Sequence, residues 1–156
     1  MKRLLEDEVV VAAPRERLWA LLDDVGALKR ILPGCEELEE EGERRYRAVM
    51  STKLPFMTLR VSGTALLDEL RPPDHVRLEI SGRPLGLVGG FTVSVPIDAT
   101  TTDDGGTRGS YAVDLQLTGR LASFGAPILR AQVKAQVREM IANLERELAS
   151  GEEPPA

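Results

Sequence analysis

The sequence holds one cysteine and one histidine in 156 residues. A lone thiol excludes an internal disulfide, and one Cys with one His provides no zinc-ligand set of the usual spacing. Positive charge is not in excess either: 20 Lys and Arg stand against 25 Asp and Glu, a formal charge of −5. That balance gives no electrostatic footprint for nucleic acid, which needs a clustered basic face. No apolar run reaches the ~18 residues of a membrane-span candidate. In Leu4-Leu5-Glu6-Asp7-Glu8, acidic residues interrupt any signal-like apolar segment. The expectation is a soluble, cytoplasmic protein with no metal and no cofactor. What is present is ordinary for a globular core: 42 % hydrophobic residues and 14 glycines. The length suits one domain, expected over residues 1–149, with 150–156 as a polar, flexible tail.

Val9-Val10-Val11-Ala12 reads as a strand stopped at Pro14, which suits the first position of a helix. Leu18, Leu21, Leu22 and Val25 follow at helical spacing, and a second short helix over about 26–32 ends at Pro33-Gly34. From Cys35 to Thr118 the period changes to two, as in Tyr46-Ala48-Met50, Val76-Leu78-Ile80, Phe91-Val93-Val95-Ile97 and Tyr111-Val113-Leu115-Leu117. Arg45, Arg47, Arg77, Glu79 and Asp114 fall between them, the pattern of an antiparallel sheet with one wet and one buried face. Six strands here and the first make seven.

After Thr118 the helical period returns. Val133, Val137, Met140, Ile141, Leu144 and Leu148 form one apolar stripe opposite Lys134, Arg138, Glu145 and Arg146. Pro127 either starts this helix or kinks a longer one beginning near Gly119. A sheet with one apolar face needs a cover, and this helix carries the only long stripe available. The expected fold is therefore α+β: a seven-stranded curved antiparallel sheet wrapped around a long C-terminal helix, with two short helices after the first strand.

Successive turns of a meander fall alternately at opposite ends of the sheet. Turns one, three and five, at 41–43, 71–74 and 103–106, are acidic or proline-rich. Turns two and four, Leu54-Pro55-Phe56-Met57 and the glycine-rich 82–90, belong to the other end, where the last strand also exits through 119–127. One end is thus polar and the other apolar. Leu54, Phe56, Met57, Leu85, Leu87 and Val88 are candidates for a cavity mouth or partner contact, meeting a greasy ligand, a protein or a membrane surface. The competing reading folds these side chains inward as a plug for the core.

Several of these segments resemble a known family. They are Ala13-Pro14-Arg15-Glu16-Arg17-Leu18-Trp19, Leu32-Pro33-Gly34-Cys35, Val61-Ser62-Gly63-Thr64 running into Leu70-Arg71-Pro72-Pro73, the glycine-rich turn four, and Gly119-Arg120-Leu121-Ala122-Ser123-Phe124-Gly125. Together they resemble the CoxG-like family of carbon monoxide dehydrogenase subunits, within the START-like or SRPBCC helix-grip superfamily. The likeness spans about residues 2–148. It implies a sheet gripping the last helix with a cavity between them. It also implies an accessory or membrane-recruitment role for a molybdenum-containing carbon monoxide dehydrogenase-type hydroxylase, with a quinone or lipid-like ligand. Location would then be cytoplasmic or peripheral on the cytoplasmic membrane face. Family members often carry aromatic residues late in the final helix, where this chain has Met140, Ile141 and Leu144. On this reading the ligand is lined by Met50, Val61, Leu78, Phe91, Val93, Tyr111, Phe124, Ile128 and Val133.

Catalysis has little to work with. His75 follows Pro72-Pro73-Asp74 and reads as a solvated turn residue, and Cys35 reads as a helix-to-strand corner with no activating base. Asp103-Asp104 lacks calcium-loop spacing, and Gly86-Leu87-Val88-Gly89 lacks a dinucleotide fingerprint. Tyr46 and Tyr111 fall on the inner face, where each either meets a ligand carbonyl or finds a backbone partner in the core. The expectation is a non-catalytic protein with no catalytic residues. The alternatives are an enzyme of the polyketide cyclase or aromatase type using the same cavity, or an assembly factor with a solid core.

Overall fold

The computed structural model describes residues 2–54, 57–86, 88–123 and 126–150. Phe56, Leu87, Phe124 and residues 151–156 of the expected tail lie outside them, as does the Leu54 side chain. The elements run β1 (Lys2–Val11), α1 (Arg15–Leu21), α2 (Val25–Ile31), β2 (Cys35–Gly42), β3 (Arg45–Leu54), β4 (Met57–Arg71), β5 (His75–Pro84), β6 (Gly89–Thr101) and β7 (Thr107–Gly119), then a 3-10 turn (Arg120–Ser123) and α3 (Ala126–Ser150). The seven strands form one antiparallel sheet in the order β1-β7-β6-β5-β4-β3-β2. Pro127 lies in the first turn of α3, and Gly119, with φ of +64°, ends β7 before the 3-10 turn. The proline therefore starts the helix rather than kinking a longer one.

Local chemistry sets the corners. Pro14 stands just before α1, where the missing N–H costs nothing. Asp24 caps α2 by accepting from the Ala27 amide at 3.0 Å. Gly34 turns the chain from α2 into β2 with φ of +66°, and a Cβ there would stand 2.0 Å from the Ser51 carbonyl oxygen. Only glycine fits that corner. Strand β1 begins at Lys2, well before the Val9–Val11 run that announces it, because its whole length pairs with β7. A register shift between Arg3 and Leu5 turns both Leu4 and Leu5 inward, which breaks the simple alternation.

Register defines the inner face. Tyr46, Ala48, Met50 and Thr52 of β3 oppose Ala65, Gly63, Val61 and Leu59 of β4. Those continue through Ile80, Gly82 and Pro84 of β5 to Val93 and Phe91 of β6, then Leu115 and Leu117 of β7. At its centre Gly63 faces Gly82, so the sheet can bend sharply toward the helix side.

Packing under this face is uneven. Leu38, Tyr46, Ala48, Ala65 and Leu67 form one buried cluster, with Leu22, Val25, Leu28 and Leu32 from the region of α1 and α2 against it. Val11, Ala13 and Leu148 form a second, joined by Leu18, Leu21 and Leu144. Both clusters sit where the short helices and the C-terminal half of α3 cover the sheet. There α3 is also tied by Arg30 to Glu147 at 2.6 Å and by Asn143 donating to the Ile31 carbonyl at 3.1 Å. Its N-terminal half is held instead by side-chain hydrogen bonds, from Arg130 to the Leu4 carbonyl and from Gln132 and Gln136 to Thr52.

Candidate functional site: the apolar end of the sheet

The hairpin pairing Leu54 with Met57, the pairing of Val61 with Pro84 and that of Gly89 with Gly119 put turn two, turn four and the exit of β7 at one end. The Leu85 amide donates to the Arg60 carbonyl at 2.7 Å, which ties turn four to the start of β4. At the opposite end the 71–75 turn lies beside the start of α1, joined by Arg15 to Asp74 at 2.5 Å. The segregation of turns expected from strand parity is therefore present in the fold.

Of the mouth candidates, Met57, Leu85 and Val88 are exposed to 36, 54 and 79 %. All three are exposed at the rim, Met57 on the inner-face register of Leu59 and Val61, and Ile128 at the start of α3 adds a further exposed apolar group at 39 %. The inner wall behind them is half-buried. Met50 and Leu78 pack against the first core cluster, whereas Val61, Phe91, Val93, Tyr111 and Val133 belong to neither cluster. Phe91 lies over Gly82, its ring 3.1 Å from where a Cβ would stand. The structure thus brings Met50, Val61, Leu78, Phe91 and Val93 onto one face, with Tyr111 farther along it on β7 and Val133 on the helix that covers it.

A charge pattern accompanies this geometry. The stretches 44–67, 80–97 and 115–138, which pass through the apolar end, contain no Asp or Glu, although the chain as a whole is acidic. Lys53, Arg60, Arg83, Arg130 and Lys134 are exposed around that end. Arg60 is paired with Glu36 at 2.7 Å, while Lys53, Arg83 and Lys134 make no ion pair among the described residues. Net charge conceals this rim; reading acid-free stretches against turn parity reveals it.

The titratable groups lie elsewhere or are tied up. His75 is not solvated, contrary to the reading of its turn: it is 8 % exposed on the outer face of β5. Its Nδ1 lies 2.7 Å from Asp98 Oδ1 and its Nε2 lies 2.9 Å from Glu69 Oε1. These two carboxylates, Glu69 first, raise the imidazole pKa above its usual value against the opposing effect of burial. Beside it Arg77 spans Asp68, with Ser94 and Glu79 close by, and holds the Asp68 carboxyl below its ordinary range. Cys35 opens β2 with its thiol toward the Glu37 carbonyl, and burial pushes its pKa up, away from a nucleophilic thiolate.

The two tyrosines divide. Tyr46 is 3 % exposed and donates to the Leu22 carbonyl at 3.3 Å, so it is a core residue with a backbone partner. Tyr111 is half-buried opposite Asp7, and its hydroxyl has no hydrogen-bond partner among the described residues. Burial, then the Asp7 charge, raises its pKa. Sequence reasoning missed a third polar group on the wall: Gln132 and Gln136 of α3, both donating to the Thr52 hydroxyl at 2.9 and 2.7 Å. Their i, i+4 spacing within the apolar stripe was the available signal. Two shallow depressions also occur: one over β1, β6 and β7 around Glu6 and Asp98, reaching Tyr111, and one around Arg30, Asn143 and Glu147. Both are open to solvent. Among the described residues no helix is long and apolar enough to cross a membrane.

Solved structures share this architecture. A conserved protein from Geobacillus kaustophilus aligns over 92 % of this chain and 93 % of its own, with a TM-score of 0.83 and 22 % identity. A START superfamily protein from Mycobacterium smegmatis aligns over 94 and 97 % with a TM-score of 0.68 and 10 % identity. The ZhuI aromatase/cyclase from Streptomyces sp. R1128 aligns over 96 and 98 % with a TM-score of 0.64 and 20 % identity. At these identities the likeness establishes the START-like fold alone. No curated protein matches the sequence. The model of the CoxG family of carbon monoxide dehydrogenase subunits matches residues 8–149. A match of that extent, on a chain with the expected sheet and helix, places the protein: it belongs to the CoxG family.

Proposed function

We propose that the chain, with residues 1–149 as its single domain, is a non-catalytic carrier of a hydrophobic ligand, quinone or lipid-like. It would serve as an accessory or membrane-recruitment factor for a molybdenum-containing carbon monoxide dehydrogenase-type hydroxylase. The observation that carries this reading is the unevenness of the interior. The two buried clusters lie toward the polar end, and on the apolar wall Val61, Phe91 and Val93 stay half-buried while Leu59 and Pro84 beside them are buried. An apolar ligand covering that wall would gain about 25 cal/mol for each Å² removed from water. The exposed Met57, Leu85, Val88 and Ile128 with their basic surroundings suit delivery at an anionic lipid surface.

The cyclase reading has one supporting observation, the likeness to an aromatase/cyclase fold. Against it, the one histidine lies on the outer face with both ring nitrogens engaged by carboxylates. The Cys35 thiol is directed at the Glu37 carbonyl with its pKa raised by burial, and Tyr46 is committed to a backbone carbonyl. A solid-core assembly factor would share the fold but retain no lipophile. Native mass spectrometry after gentle purification, repeated with added quinone and phospholipid, tests the carrier. A retained lipophile is the expected result. Protein that emerges empty and ignores both additions overturns it.

A further inference from the structure

Thr52 lies on the inner face of β3, in register with Leu59 and two residues beyond Met50 on the same side. From the helix above, Gln132 and Gln136 reach down one turn apart, and both amides donate to the same hydroxyl oxygen, at 2.9 and 2.7 Å. A hydroxyl has two acceptor positions, and this arrangement fills them. The Thr52 O–H is left as a donor, and each amide keeps one N–H and its carbonyl, with no other partner among the described residues. All three side chains are half-buried. Three donors, with the two amide carbonyls as acceptors, therefore remain on a wall otherwise made of Met50, Leu59, Val61 and Val133.

We propose that Thr52, Gln132 and Gln136 form a polar subsite that recognises a neutral carbonyl group on the lipophile, selecting ligands with such a head over plain hydrocarbons. The proposal rests on the carrier reading. Its physical basis is the asymmetry of hydrogen bonding. An apolar ligand that displaces water from these groups leaves them unsatisfied, which costs more than the bond a matching ligand gains. Neutral amide and hydroxyl donors match a carbonyl oxygen without requiring an ion. Thr52 is close to the Leu54–Met57 turn, so the polar head would lie toward the mouth and the apolar remainder along Val61, Phe91 and Val93.

The test compares 2,3-dimethyl-1,4-naphthoquinone with 2,3-dimethylnaphthalene, which share a ring skeleton and differ in two carbonyls. Equilibrium dialysis gives the affinity ratio for the wild type, Thr52→Val, Gln132→Met/Gln136→Met and the conservative Thr52→Ser. The expected wild-type ratio favours the quinone by at least ~10-fold, what one to two net hydrogen bonds supply. The Val and double Met variants should bring the ratio close to one while still binding the hydrocarbon, and Ser should retain it. A ratio unchanged in the first two variants overturns the subsite and leaves the carrier intact. If these variants weaken both probes equally, the trio merely fastens the helix and the subsite is again overturned. Wild-type protein that binds neither probe removes the carrier reading together with the subsite.

Discussion

Gly63 stands directly across from Gly82 on the concave face, and a Cβ on Gly63 would lie 2.1 Å from the Ser81 carbonyl oxygen. That distance is set by backbone, not by a flexible side chain, so no rotamer relieves it. Gly63→Ala is expected to destabilise the protein by about 1–3 kcal/mol, the usual cost of forcing extra volume into packed structure. Urea unfolding measures it through the midpoint. A loss under a few tenths of a kcal/mol would mean the sheet bends less sharply there than described.

His75 makes stability depend on pH in a definite direction. Its pKa is raised in the folded state by Glu69 and Asp98, so the native protein holds the proton more tightly than the unfolded chain. The contribution is complete below the unfolded value of about 6.5 and is lost as pH rises through the higher folded value. The melting temperature of the wild type relative to His75→Gln should therefore be higher at pH 5.5 than at pH 8.5. Parallel curves for the two proteins would contradict the doubly paired imidazole.

Tyr46→Phe should cost little despite deep burial. The Leu22 carbonyl that accepts from the phenol also accepts from Arg44 at 3.1 Å, so removing one donor leaves no orphaned acceptor. A loss of about 0.5–1 kcal/mol, at the low end for a hydrogen bond, is expected from denaturant titration. A value above ~2 kcal/mol would show that the ring position depends on its hydroxyl.

The basic rim predicts lipid selectivity. Vesicles containing phosphatidylglycerol should sediment more protein than pure phosphatidylcholine vesicles, and Lys53→Glu/Arg83→Glu should abolish the difference. Each exposed basic side chain contributes about 1 kcal/mol at an anionic surface. Val88→Asp should weaken binding to both vesicle types, because Val88 is 79 % exposed and has apolar surface to bury. Equal sedimentation by wild type and the charge-reversed variant would assign the rim to another partner.

The parts of this protein legible in its sequence are those written in periodicity. Strand alternation, the turn chemistry at 41–43, 71–74 and 103–106, and the apolar stripe of α3 are local signals, and together they specify a sheet around a helix. The two ends followed from counting turns. What escaped depends on partners distant in the chain. The environment of His75 is created by Glu69 across a bulge and Asp98 on the next strand, neither visible from its Pro-Pro-Asp context. The first half of β1 carries no strand signal of its own, because Glu6, Asp7 and Glu8 break the apolar pattern and only pairing with β7 makes it a strand. Thr52 and its two glutamines likewise meet only once β3 and α3 are in place.

The long helix is clamped firmly at its C-terminal half, through Leu144, Leu148, Asn143 and Glu147, and lightly at its beginning. An element fixed at one extremity tilts at the other with small disturbance to the packed clusters. On the proposed carrier reading, guests of different length would be accommodated by a slight swing of the lightly tethered half, with the cost of fitting them carried by a few side-chain tethers instead of the whole domain.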